Sequence, residues 1–292
     1  MLKSRRSCPT VSVIVPALNE GRNLPHVAAR MPDVDELILV DGGSTDDTVE
    51  VATRLWPDVR VVQQNRTGKG NALACGFAAA HGDIIVMIDA DGSTDPAEIP
   101  MFVEALRNGA DFAKGSRFLS AGGSADITRL RRRGNKILNG FVNVLFRTSY
   151  SDLCYGYNAF WADCLWVFDL DHTSPPLAGG AKRWGDGFEI ETLLNLRIAR
   201  AKLRVAEVAS FEHERIHGVS NLNAMTDGIR VLRTIMREFP RRARPAPATS
   251  AFATVEVPQA RRPSSGTPQA ATSQAGTPQA TTPKPAAMRR AS

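Results

Sequence analysis

Four short apolar runs, at 11–15, 37–40, 59–62 and 84–88, recur in the first third of the chain. Each is too short for a buried helix and rich in Val and Ile, so each reads as a buried strand. Helical patterns fill the gaps at 24–30, 46–55 and 71–80. Strand and helix in alternation require a mostly parallel sheet with helices packed on its faces, an α/β class. Such a sheet takes ligands at the carboxyl ends of its strands. Polar residues collect at those ends: Asn19 and Glu20 after the first run, Asp41-Gly42-Gly43-Ser44 after the second, Asp89 and Asp91 after the fourth.

Further along, Ser116-Arg117-Phe118 leads through a Gly/Ser-rich loop at 120–125 into the basic run Arg129-Leu130-Arg131-Arg132-Arg133. An amphipathic helix follows, with Ile137, Leu138, Phe141, Val142 and Leu145 apolar. Asp186-Gly187-Phe188-Glu189 has the spacing of a capping box that opens a helix running to Arg200. Residues 203–209 alternate like a strand, and 225–239 return to helical spacing. Thr45-Asp46-Asp47-Thr48 has the composition of a helix N-terminus, which gives Asp46 and Asp47 a structural role.

At 292 residues the chain can bury a substantial core. Composition changes at about residue 243, where Ala, Pro, Thr, Ser and Gln take over and Gly-Thr-Pro-Gln-Ala occurs at 266–270 and again at 276–280. That segment has too little apolar surface to offset its ordering entropy and is expected to be disordered. It carries six Lys and Arg against Glu256 alone, and so supplies five of the chain's six net positive charges. The basic character belongs to the tail, and a nucleic-acid partner is not implied. The expected organisation is a disordered 1–9, a domain over 10–242 divided near 118 into donor and acceptor halves, and a tail over 243–292 read as solubilising, with contact to an anionic membrane surface as the alternative. Cys8, Cys75, Cys154 and Cys164 have neither zinc-type pairing nor disulfide-scaffold density, which fits a reducing cytoplasm. No run is long enough to span a membrane.

Asp89 and Asp91 stand two apart at a strand end, where alternate residues point the same way. Two hard oxygen ligands aimed at one point suit Mg²⁺ or Mn²⁺, which bridge protein carboxylates to substrate phosphates. Gly68-Lys69-Gly70 lacks the rest of a phosphate-loop pattern, and Asp41-Gly42-Gly43-Ser44 lacks the glycines of a dinucleotide fold. His213-Glu214-Arg215-Ile216-His217 matches a zinc-protease pattern in letters. Zinc binding there requires a helix, whereas a strand-like run precedes it and Gly218 follows.

Val15-Pro16-Ala17-Leu18-Asn19-Glu20, Val40-Asp41-Gly42-Gly43-Ser44-Thr45-Asp46, Gly68-Lys69-Gly70-Asn71-Ala72 and Asp89-Ala90-Asp91-Gly92 occur in the order found in family 2 glycosyltransferases. With Gly115-Ser116-Arg117-Phe118 and Gly187-Phe188-Glu189-Ile190-Glu191, the chain over roughly 10–240 resembles the polyprenyl-phosphate sugar synthase branch, which includes the dolichol-phosphate mannosyltransferases. The resemblance implies a GT-A fold, a nucleoside-diphosphate sugar donor, a divalent metal and inversion at the anomeric carbon. It implies that Pro16, Ala17, Asn19 and Glu20 line the nucleoside pocket, that Asp41 contacts base or ribose, and that Lys69 lies near the nucleotide. Asp89 and Asp91, flanking Ala90, would hold the metal on the diphosphate, with Ser93 where some relatives place a third ligand. Arg215 and Ser220 fall in an Arg-x-x-Gly-x-Ser loop near the donor phosphates. Arg117, Arg129 and Arg131 are candidates for an acceptor phosphate, and solvated surface is the competing role for each.

Asp91, Glu189 and Arg117 are the candidate catalytic residues. A hydroxyl acceptor needs a base, for which Glu189 is the candidate, with its place in the capping box as the competing role, whereas a polyprenyl phosphate is already anionic and needs none. Asn158 stands where polyprenyl-phosphate mannosyl and glucosyl synthases carry arginine, and Gly180 where processive synthases carry the Gln of Gln-x-x-Arg-Trp. Transfer of one sugar to a polyprenyl phosphate or a glycan hydroxyl is therefore expected. The alternatives are a sugar-phosphate nucleotidyltransferase, whose Gly-rich N-terminal loop is missing here, and an inactive transferase-like scaffold, which the intact aspartate pair disfavours.

Overall fold

The structure, a computed structural model, describes residues 5–218 and 224–241. The expected tail at 243–292 and Ser220 lie outside the described residues. In chain order the strands are β1 (Val11–Ala17), β2 (Glu36–Asp41), β3 (Arg60–Gln63), β4 (Ile84–Met87), β5 (Phe112–Ser116), β6 (Gly123–Ser124), β7 (Asn158–Trp161), β8 (Val205–Ala209) and β9 (Phe211–Glu212). The helices are α1 (Leu24–Ala28), α2 (Thr48–Leu55), α3 (Lys69–Ala79), α4 (Ile99–Arg107), α5 (Arg129–Phe146), α6 (Leu165–Phe168), α7 (Ile190–Arg200) and α8 (Ala224–Glu238).

Seven strands form one sheet in the order β3-β2-β1-β4-β7-β5-β8, parallel throughout except for β7. The period-two pattern sorts each strand between two cores. Val13 and Val15 of β1 and Ile84 and Val86 of β4 face Leu24, Val51 and Phe102 of α1, α2 and α4. Ile14, Ile85 and Met87 face Leu73 and Phe77 of α3 and Leu193 and Leu194 of α7. α3 lies so close to the sheet that a Cβ on Gly76 would stand 2.4 Å from Ile14 Cγ2. A third cluster, around Val142, Leu153, Leu196 and Ile235, joins α5, α7 and α8.

The four N-terminal strands and the strand before residue 209 agree with the sequence pattern to within two residues. β5 and β7 escape it because neither alternates: β5 contains Lys114, fully buried, and Gly115. Reversed β7 brings its own first residues to the edge where the parallel strands end, pairing Asn158 with Met87. The loop before it, with Gly156, is thereby delivered to the ligand edge of the sheet.

Two local expectations change. Helix α7 begins at Ile190, and Asp186 does not cap it, because its carboxylate is bound by buried Arg66 at 2.8 Å through both Nε and Nη2. Nor does Glu189 close the box, since the Asp186 N–H goes to the Arg183 carbonyl and Glu189 accepts instead from the Gly185 and Gly187 N–H groups. At the N-terminus, Arg5, outside the expected domain, pairs with Asp111 and Asp163 and lies over the Trp161 ring.

Candidate active site

The carboxyl ends of β1, β2 and β4 and the first turn of α3 form one edge. Asn19, in the left-handed region at φ +58, turns the chain after β1 and accepts from the Thr45 N–H. Asp41 is buried and accepts from the N–H groups of Gly43 and Ser44, which shapes the loop after β2. Pro16 and Ala17 pair with Val40 and Asp41 in β2, so these donor-side candidates lie side by side.

The charged centre is denser than the sequence indicates. Lys69, at the start of α3, reaches Asp89 Oδ1 and Glu191 Oε1, each at 2.6 Å. Arg215 reaches Asp91 Oδ2 at 3.0 Å and Glu20 Oε1 at 3.3 Å. Four carboxylates thus share two cations, an excess of two negative charges at the sheet edge. Burial alone would lower the Lys69 pKa, but Asp89 and Glu191 raise it above its ordinary range and keep it charged. Burial raises the pKa of Glu191 and of Glu20, against the pull of their cationic partners. For Asp91 burial is outweighed by bonds from Ser93 and by Arg215 and Lys69, and its pKa falls.

Backbone contacts fix this arrangement. Ser93 N–H donates to Asp91 Oδ1, and Asp89 N–H donates to Thr94 Oγ1. Ala90, between the two aspartates, is buried. The segment carrying Arg215 is laid across this turn, with His213 N–H on the Ser93 carbonyl and Ile216 N–H on the Asp91 carbonyl. His217 exchanges hydrogen bonds with Asn23, which also donates to Glu20. Residues 213–217 are not helical, so the histidine pair lacks the geometry of a zinc protease.

Other candidates lie elsewhere. Arg117 is buried, its guanidinium held by Asp152 through Nε and Nη2 and by Glu212 through Nη1. It is spoken for by two carboxylates, which a phosphate contact would have to displace. Arg129 is exposed in the first turn of α5, and Arg131 pairs with Asp126 at 3.0 Å. Glu189 lines a cavity of about 490 Å³ with Leu177, Lys182, Arg183, Trp184 and Arg237. It is Glu191, two residues on, that joins Lys69. Arg66 and the Lys69–Glu191 link carried no sequence signal beyond the residues themselves, since their partners lie 120 and 122 positions away.

The family model for glycosyl transferase family 2 matches residues 12–176, more than half the chain. The chain is a family 2 glycosyltransferase. An undecaprenyl-phosphate mannosyltransferase of Micrococcus luteus is 31% identical over 223 residues, 73% of this chain and 87% of that protein. An uncharacterised glycosyltransferase of Mycobacterium tuberculosis is 43% identical over 112 residues, 38% of this chain, a match that spans only half of that relative's length. Among solved structures, glucosyl-3-phosphoglycerate synthase from M. tuberculosis, in complex with Mn²⁺, UDP and glucosyl-3-phosphoglycerate, superposes with a TM-score of 0.59 at 26% identity. The match covers 82% of this chain and 83% of that one. The glycosyltransferase therefore has the GT-A architecture that the motif order implied.

Proposed function

We propose that the chain transfers a single sugar, with inversion, from a nucleoside-diphosphate sugar to a polyprenyl phosphate or a glycan hydroxyl, using a divalent cation. The observation that carries this reading is the two-charge excess at Asp89, Asp91, Glu20 and Glu191 over Lys69 and Arg215. The donor set fits Mg²⁺ or Mn²⁺: hard carboxylate oxygens two residues apart at one strand end, Asp89 against Lys69 and Asp91 against Arg215. Among the described residues no cluster of three protein ligands exists. Asp89 and Asp91 would hold the cation and donor phosphates would complete its shell, the usual manner of Mg²⁺. When bound, the cation supplies Lewis-acid neutralisation of charge on the departing diphosphate.

The chain's own groups do the rest. The acceptor oxygen attacks the anomeric carbon as its bond to the diphosphate oxygen breaks. Lys69 and Arg215 are fixed cations beside the aspartates, preorganised for the negative charge that grows there. Asp41 and Asn19 shape the loops after β2 and β1 that would meet the nucleoside. An anionic lipid phosphate would need no base; a hydroxyl acceptor would, and Glu191 is the carboxylate within the charged cluster.

Calorimetric titration with nucleotide sugars, beginning with UDP-glucose, with and without Mn²⁺, tests the reading. Selective, Mn²⁺-dependent binding is expected, and Asp91→Ala should abolish it while leaving the circular dichroism spectrum intact. Absence of binding by every donor, or full turnover by Asp91→Ala, would sink it.

A further inference from the structure

Helices α5 and α8 lie side by side, sealed by Leu138, Val142 and Leu145 of one against Val231 and Ile235 of the other. The Phe146 and Phe239 rings meet edge to face at 5.9 Å. Beyond that seam each helix leaves an apolar stripe in solvent. On α5 it is Leu130, Ile137, Phe141 and Val144, 38–79% exposed. On α8 and its last turn it is Ile229, Leu232, Met236 and Phe239, 44–57% exposed. The spacing of three, four and seven residues puts each set on one face of its helix. Of the fourteen exposed large apolar side chains among the described residues, these are eight. Two more, Leu177 and Phe188, lie beside α8: the Arg230 guanidinium stands over the Phe188 ring, and Leu177 shares a cavity with Arg237. So concentrated an apolar surface marks an interaction site.

Its charge identifies the occupant. α5 contains no acidic residue, and exposes Arg129, Arg133 and Lys136. α8 has Asp227 in its first turn and exposes Arg233 and Arg237, while its Glu238 is buried against Arg197 and Arg200. A second copy would set this cationic face against itself, which repulsion opposes. An anionic lipid surface complements both components, taking apolar side chains at the acyl boundary and cations at the headgroups.

We propose that the exposed face of α5 and α8 docks on an anionic bilayer and that the acceptor is drawn from that membrane. The second half of this inference rests on the transfer reaction proposed above. Arg237 of α8 also lines the cavity of Leu177, Lys182, Arg183, Trp184 and Glu189, which places this polar opening beside the docking helix. Arg237 also stacks on Trp184 at 4.3 Å, which joins the helix to the loop before α7.

The test is flotation of the full chain with phosphatidylcholine vesicles, with and without added phosphatidylglycerol. Binding is expected only with the anionic lipid and should weaken as salt rises. Arg133→Glu/Lys136→Glu/Arg233→Glu should lower the partition coefficient at least about a hundredfold. Ile137→Glu/Val144→Glu/Met236→Glu should lower it about tenfold or more. If either triple variant fails to fold, the other, altered at different surface positions, carries the test. The proposal is overturned if the wild-type chain ignores anionic vesicles, or if folded variants bind as it does, which would locate binding in another segment. It is overturned too if sedimentation shows a dimer that the apolar variant converts to monomer. Donor titration of the same preparations separates the two readings: vesicle binding without nucleotide-sugar binding retains the docking face and removes the transferase mechanism.

Discussion

At the scale of single residues, Lys69 and Arg117 show how one charge type takes opposite roles. Lys69 is the cation shared by Asp89 and Glu191, at the edge where a donor would enter. Lys69→Met removes it, and kcat should fall by about 10²–10³, the loss found when a preorganised partner of developing charge is deleted. The double variant with Glu191→Gln should lose less than the sum of the two singles, since the groups are in contact. Arg117 is enclosed by Asp152, wholly buried, and Glu212. Arg117→Ala would leave both carboxylates without their ion-pair partner, a loss of about 3–5 kcal/mol measurable by urea unfolding. Burial by itself raises the Asp152 pKa, but Arg117 outweighs it and holds the folded value below the ordinary range. The contribution is therefore complete above the unfolded carboxylate pKa, about 4, and fades as pH falls from there through the folded value. The stability gap between wild type and Arg117→Ala should narrow between neutral pH and pH about 3. Asp89 and Asp91 were legible in the sequence because a strand end fixes their direction. The partners of Arg117 were not, because ion pairing across 35 and 95 positions leaves no local trace.

Among the elements, the join between α3 and the loop before α7 decides where Glu191 stands. The Gly70 and Asn71 N–H groups both donate to the Asp186 carbonyl, and a Cβ on Gly70 would lie 1.8 Å from the Gly185 oxygen. Backbone must part to admit it. Gly70→Ala should therefore destabilise by at least about 1–3 kcal/mol, the range for overpacking, and also lower kcat by moving Glu191 off Lys69. Gly76→Ala, further along α3, meets only Ile14 and Val40 side chains and should destabilise without a comparable change in kcat. Thermal unfolding and steady-state kinetics on the two variants separate these effects. The sequence located α3 because apolar residues crowd it from Ala72 onward. It could not place β5 and β7, since Lys114 and Asn158 are polar residues buried only by pairing with distant strands.

For the molecule as a whole, the charged centre is assembled from five distant places: the ends of β1 and β4, the starts of α3 and α7, and a segment that returns from beyond β9. The contact between Asn23 and His217 spans 194 positions. Alternation of strand and helix was enough to foresee the first two, and family resemblance to point at Arg215. Its grip on Asp91 and Glu20 is a property of the closed chain. The two-charge excess that results makes a whole-molecule prediction, because a ligand bound only by the folded state stabilises it by mass action. Mn²⁺ with UDP at about a hundred times the dissociation constant should add about 2.7 kcal/mol. For a domain of this size that corresponds to a Tm rise of roughly 5–10 °C. UDP alone should give a smaller rise, since its phosphates then face uncompensated carboxylates. In Asp91→Ala one carboxylate is gone, so the difference between UDP with and without Mn²⁺ should collapse. Differential scanning calorimetry of both proteins under the four conditions measures this. An undiminished Mn²⁺ effect in Asp91→Ala would place the cation somewhere other than the end of β4.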